Sequence, residues 1–114
     1  IRRRGENISS FEVEKGVRTH DAVLECAAVA VKSPMGEDEV MVCLTLKPGK
    51  KLSPEVLMAH CSEQMAYFMV PRYLRFMDAL PKTPTERVKK VLLREQGVTD
   101  DTWDREKAGY KLEK

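Results

Sequence analysis

Pro81–Lys90 reads PKTPTERVKK and sets Lys82, Arg87, Lys89 and Lys90 on a proline-punctuated stretch. Cations on a loop placed by a scaffold are suited to meeting negative charge as a reaction forces it together. They differ in kind: arginine offers a planar fork that keeps its proton, lysine a compact point charge on a flexible stem. Arg87 could fill such a role, with Lys82, Lys89 or Lys90 as substitutes. Taken singly, each of these lysines also reads as a solvated surface residue.

A second basic run, Arg2-Arg3-Arg4, leads into Gly5-Glu6-Asn7. On a strand Arg2 and Arg4 share a face that Arg3 opposes, so one phosphate would meet only one set. Aromatic residues are few and not interleaved with this run, and the net charge is only +2. Both facts argue against a nucleic-acid partner. Cys26, Cys43 and Cys61 are widely spaced, with no CxxC or Cys/His ligand pattern. They are expected to be reduced, apolar thiols, and no metal site is expected. His20 and His60 lack a Cys or Ser partner for nucleophilic catalysis. No apolar run approaches the ~20 residues of a membrane helix, and the start lacks a signal peptide's apolar stretch. The expectation is a cytoplasmic protein with no membrane span.

The elements that must position these residues follow from caps and periodicity. Ser9, with Glu12 three residues on, predicts a helix from Ser10 to about His20, burying Phe11, Val13 and Val17. Leu24–Lys32 and Glu39–Lys47 read as strands joined by Ser33-Pro34-Met35-Gly36. Closing the hairpin there predicts Val31 beside Val40, Val29 beside Val42 and Ala27 beside Leu44, all on one buried face. Ser53-Pro54-Glu55 starts a second helix carrying Leu57, Cys61 and Met65 inward. Tyr73–Met77 is a short third strand. Val88–Glu95 is a final helix, with Val88, Val91 and Leu92 inward and Gly97 as its stop. The fold class is α+β: a small antiparallel sheet, hairpin plus short third strand, packed with about three helices. Residues 1–97 are expected to form the domain and 98–114 a polar tail anchored by Trp103 and Tyr110. Opening on Ile1, the chain reads as part of something longer.

Four stretches, in order, resemble the C-terminal domain of the adenylate-forming superfamily, the acyl-CoA synthetases and their relatives. Ile1–Ser9 (IRRRGENIS) resembles that family's I-K-x-x-G-x-N-I-S; Glu12-Val13-Glu14 its E-V-E; Val70-Pro71 its V-P; and Pro81–Lys90 its signature P-K-T-x-x-G-K-x-x-R. Glu86 stands in the signature's glycine position and Arg87 in its lysine position. PRYLRF, LPKTPT and TWDRE are most similar to the crotonobetaine/carnitine-CoA ligase-like branch.

The resemblance implies a two-step reaction in which a carboxylate attacks the α-phosphate of ATP and the thiol of coenzyme A then displaces AMP. It implies a mobile lid that presents a different face for each step, its hinge just before Ile1. By resemblance Arg87, with Lys82, serves adenylation, while Arg4, Gly5, Glu6 and Asn7 line the coenzyme A channel. Read without it, Gly5 is a turn glycine and Asn7 a helix-entry residue. The implied partners are the protein's own N-terminal adenylation domain, which would hold ATP, Mg2+ and the acyl pocket, and a carboxylic acid substrate. The chain alone is expected to be inactive. The alternative is a binding module of the same fold that lost catalysis, as Glu86 and Arg87 would permit.

Overall fold

A computed structural model describes residues 1–3 and 5–110; the side chains of Arg2, Arg3 and Glu6 lie outside the described residues, as does all of Arg4. The chain runs β1 (Arg2–Arg3), β2 (Glu6–Asn7), α1 (Ser10–Arg18), β3 (Val23–Lys32), β4 (Asp38–Leu46) and α2 (Pro54–Gln64). After a 3-10 turn at Tyr67–Met69 come β5 (Tyr73–Phe76), α3 (Lys90–Gln96) and β6 (Thr102–Asp104). Strands β3-β4-β5-β6 form one sheet in that order, and β1-β2 a separate hairpin. The fold class is α+β, as expected.

The helix starts are local chemistry. Ser9 Oγ accepts the Glu12 N–H at 3.3 Å, and Ser53 Oγ accepts the Val56 N–H at 3.2 Å with Pro54 in the first turn. Each side chain satisfies an amide the helix itself cannot. Val13 and Val17 of α1 and Leu57, Met58 and Cys61 of α2 are buried, whereas Phe11 is 64% exposed rather than inward.

The sheet departs from expectation in three ways. First, β4 and β5 pair in parallel, Met41 opposite Tyr73 and Leu44 opposite Phe76, so the sheet is mixed. The α2 crossover between them returns the chain in the same direction, which a tight turn cannot do. Second, the hairpin register lies one residue from the predicted one: Ala30 faces Val40, Ala28 faces Val42 and Cys26 faces Leu44. The Ser33 N–H bonds the Glu37 carbonyl at 2.8 Å and Lys32 meets Asp38 at 2.7 Å, which makes the connection one residue shorter than predicted. A slip of one exchanges faces. Val29 and Val31 therefore lie with Met41, Cys43 and Tyr73 on one face, and Val40, Val42 and Leu44 with Cys26 and Ala28 on the other. Both faces are buried. Third, Thr102–Asp104, read as tail, is a strand antiparallel to β5.

The Val40 face, which carries the first core, receives α1, α2 and Ile8; the Val29 face, which carries the second, receives Leu80, Val88 and, from α3, Leu93. In α3 the inward residue is Leu93, while Val91 is 59% exposed. Trp103 meets Tyr110 edge-to-face at 6.3 Å, closing the end of the chain over the first core. Burial pushes the thiols of Cys26 and Cys61 up to about 12 and that of Cys43 to about 11, so they stay protonated and inert. No helix among the described residues is long and apolar enough to cross a membrane.

Candidate functional site

The signature segment is a closed loop. Lys82 and Val88 form an antiparallel bridge, and the Lys89 N–H donates to the Pro81 carbonyl at 2.8 Å. Inside it the Thr83 N–H donates to the Arg87 carbonyl at 2.7 Å, and the Glu86 N–H to the Thr83 carbonyl at 2.9 Å. Thr83 Oγ1 accepts the Arg87 N–H at 3.2 Å. The Arg87 backbone is thus held at both polar groups. Its side chain is exposed and has no hydrogen-bond or ion-pair partner among the described residues. Among the described residues, Arg87 is an unpaired charge on a fixed base.

The other cations of the segment divide. Lys82 Nζ lies 2.6 Å from Glu25 Oε1 on β3, and this carboxylate holds the ammonium above the usual lysine range. Lys90 Nζ lies 2.6 Å from Glu14 Oε2 of α1, an oxygen that also accepts the Ala28 N–H at 2.9 Å. Lys89 is exposed beside the inward-packed Val88.

Glu86 has φ of 66°, the sole left-handed non-glycine residue among those described. This is the position at which the signature carries glycine, and a Cβ there costs about 1–2 kcal/mol. Glu86→Gly is expected to stabilise the domain by about 0.5–1 kcal/mol, the relief being offset in part by glycine's greater freedom when unfolded. Urea unfolding of the two chains checks it; an unchanged or lower midpoint overturns it.

The second candidate region is the β1–β2 hairpin, pairing Arg2 with Asn7 and Arg3 with Glu6. Gly5 turns it at φ of 84°, and a Cβ there would meet nothing within 4 Å, leaving its backbone open to a ligand. Asn7 is exposed, and Ile8 anchors the hairpin in the first core with its N–H 2.6 Å from the Ile1 carbonyl. The structure therefore does not bring the two groups of candidates together. Ile8, next to Asn7, packs in the first core and Val88, next to Arg87, in the second, while Ile1 and Lys90 line one groove at the margin of β3.

Two arrangements had no sequence signal. Glu14 and Glu25 reach the loop from far along the chain. Arg72 is the centre of an ion cluster, bonded to Asp104 at 3.1 and 3.2 Å and lying 3.6 Å from Glu39 and 3.4 Å from Glu106. His20 and His60 pack edge-to-face at 5.1 Å; the Ala22 N–H donates to His20 Nδ1 at 3.0 Å, and His60 Nε2 lies 2.6 Å from Thr19 Oγ1. The pair ties α1 to α2. Among the described residues no group of three or more His, Cys, Asp or Glu side chains converges as a metal shell.

Known proteins resemble this chain in sequence and fold. The chain is 38% identical over 96 residues to the mitochondrial medium-chain acyl-CoA ligase of Danio rerio, covering 84% of this chain and 16% of that protein. It is 35% identical over 100 residues to the peroxisomal trans-cinnamate:CoA ligase of Petunia hybrida, covering 88% and 18%. An acyl-CoA synthetase of Brucella canis superposes with a TM-score of 0.74 at 34% identity, over 82% of this chain and 18% of that one. The chain therefore spans less than a fifth of the length of these relatives. The model of the AMP-binding enzyme C-terminal domain matches residues 12–87, from the E-V-E helix to the signature arginine. With that match, and with relatives 35–38% identical over most of its length, this chain belongs to the AMP-binding enzyme C-terminal domain family.

Proposed function

We propose that the chain is the mobile C-terminal domain of an ATP-dependent acid–CoA ligase. The observation that carries this reading is Arg87, exposed and unpaired among the described residues, on a fixed loop separate from the open Gly5 turn. In the first step a carboxylate oxygen bonds to the α-phosphorus of ATP and pyrophosphate leaves. Arg87 offsets the negative charge crowded at that centre. In the second, the sulfur of coenzyme A attacks the acyl carbon, its proton is lost and AMP leaves as the thioester forms. The Gly5 turn, with Asn7 and the neighbouring Arg4 and Glu6, then lies along the pantetheine. The nucleotide, Mg2+ and acyl pockets belong to the N-terminal domain of the longer protein.

The finer likeness to the crotonobetaine/carnitine-CoA ligase-like branch, on Pro71–Phe76, Leu80–Thr85 and Thr102–Glu106, remains within this proposal. Two of those segments meet in the Arg72–Asp104 cluster. Their likeness therefore describes how β6 is clamped and not which acid is bound. A second reading, a binding module without catalysis, is favoured by Glu86, whose carboxylate would repel phosphate beside Arg87.

The purified 114-residue chain is expected to release no pyrophosphate from ATP and a carboxylic acid, because the pockets for both lie elsewhere. A coupled pyrophosphate assay against a heat-denatured blank tests this. Release above the blank overturns the assignment of the chain as a dependent domain.

A further inference from the structure

Lys82 is set differently from Arg87. Its ammonium is 2.6 Å from Glu25 Oε1 and 3.9 Å from Glu86 Oε2, while its backbone pairs with Val88 at the stem of the loop. Glu25 extends the face of β3 that carries Ala27 and Val29, the face on which the loop packs. The ion pair therefore fastens the stem to the sheet where the loop's two arms join. At the other end Lys90 reaches Glu14 on α1. Between these tethers the Arg87 side chain has no hydrogen bond or ion pair among the described residues that would aim it.

We infer that Lys82 is a positioning residue: held by Glu25, it fixes the stem of the 82–88 loop and so the direction in which Arg87 leaves it. An ammonium already neutralised by a carboxylate at 2.6 Å adds little field at a phosphate, whereas its removal loosens the loop. Displacing a charge from its place at the reacting centre is costly even when no contact to substrate is lost. The inference rests on the reading of Arg87 as the adenylation cation.

In the full-length ligase, Glu25→Gln and Lys82→Met are expected to slow adenylation alike, about fivefold each, the scale of a partly exposed ion pair. The double variant is no slower than either single one. Lys82→Arg, which still reaches Glu25, stays near wild type, and thioester formation from pre-made acyl-adenylate is unchanged throughout. A Lys82 that touches substrate gives another pattern: Lys82→Met is slow, Glu25→Gln is silent because it frees the ammonium, and Lys82→Arg is not rescued. That pattern overturns the inference. Amide hydrogen exchange on the 114-residue chain supplies a readout independent of activity, with protection at Thr83 and Glu86 falling together in Glu25→Gln and Lys82→Met. If Arg87→Ala leaves adenylation untouched, the reading of Arg87 fails and exchange alone decides the strut. Unchanged protection in Glu25→Gln then overturns it.

Discussion

Replacing Arg87 by alanine in the full-length ligase is expected to slow carboxylate adenylation about 100- to 1,000-fold, or roughly 3 to 4 kcal/mol. The guanidinium is unpaired among the described residues, so its removal leaves no buried partner stranded and unfolds nothing. The loss falls on the transition state alone. Thioester formation from pre-made acyl-adenylate should stay near the wild-type rate, since the proposal assigns that step to the Gly5 turn. Gly5→Val is the reciprocal variant. At φ of 84° a β-branched residue is strained and crowds the backbone, so the second step slows and the first does not. Arg87→Lys keeps more activity than alanine, a point charge replacing the fork. Half-reaction rates for these variants and Lys89→Ala separate the accounts. A silent Arg87→Ala beside a slow Lys89→Ala transfers the role to the neighbouring exposed lysine.

Arg72→Ala is expected to cost about 3–5 kcal/mol of stability, the penalty for removing one partner of a buried ionic cluster. Its guanidinium faces Asp104 and Glu39, whose side chains are 6% and 1% exposed. It also lies over the Tyr73 ring, 4.9 Å from its centroid. Against a domain stability of about 5–15 kcal/mol, the variant should lose between about a fifth of the wild-type urea midpoint and all of it. Acid should act on the same cluster. Burial pushes the Asp104 carboxyl up, but the Arg72 hydrogen bonds and the Glu106 N–H outweigh it and hold the group below its ordinary 3.8. A carboxyl lowered on folding contributes its full stability above the unfolded value and loses it as pH falls through the folded one. The urea midpoint should therefore hold from neutrality to about pH 5 and drop below about pH 4, less steeply in Asp104→Asn. An Arg72→Ala chain within 1 kcal/mol of wild type would refute the cluster's role.

What could be read from the sequence was what is local. Ser9 with Glu12, Ser53 with Pro54, and Gly97 act within a few residues of themselves, so helix starts and stops were legible. The hairpin was legible as a hairpin but not in register, because alternate residues of β3 and β4 are apolar on both sides and either face could be the buried one. Strand β6 escaped because Thr102–Asp104 is too short for a pattern and is held by Arg72, separated from Asp104 by 32 residues. In the site, Gly5 and Arg87 were found by likeness to the family's motif. The left-handed backbone of Glu86 follows the conformation of the glycine it replaces and not its own preference. Glu25 was invisible because it lies 57 residues from Lys82, and nothing in its neighbours announces the distant ammonium.

The ion pair between Lys90 and Glu14 has a consequence for how this body meets others. Strand β3 runs from Val23 to Lys32 at the margin of the sheet, with no strand beyond it among those described. Backbone groups on such a margin invite any extended chain to add itself. Glu14 occupies the Ala28 N–H from α1, and Lys90 comes to the same oxygen from the opposite side. The margin is stoppered midway along its length by a hydrated charge pair. If the chain is the mobile domain proposed above, approaching a larger partner and leaving it at every turnover, it gains from this, because contacts made through side chains can be released faster than a ladder of backbone hydrogen bonds.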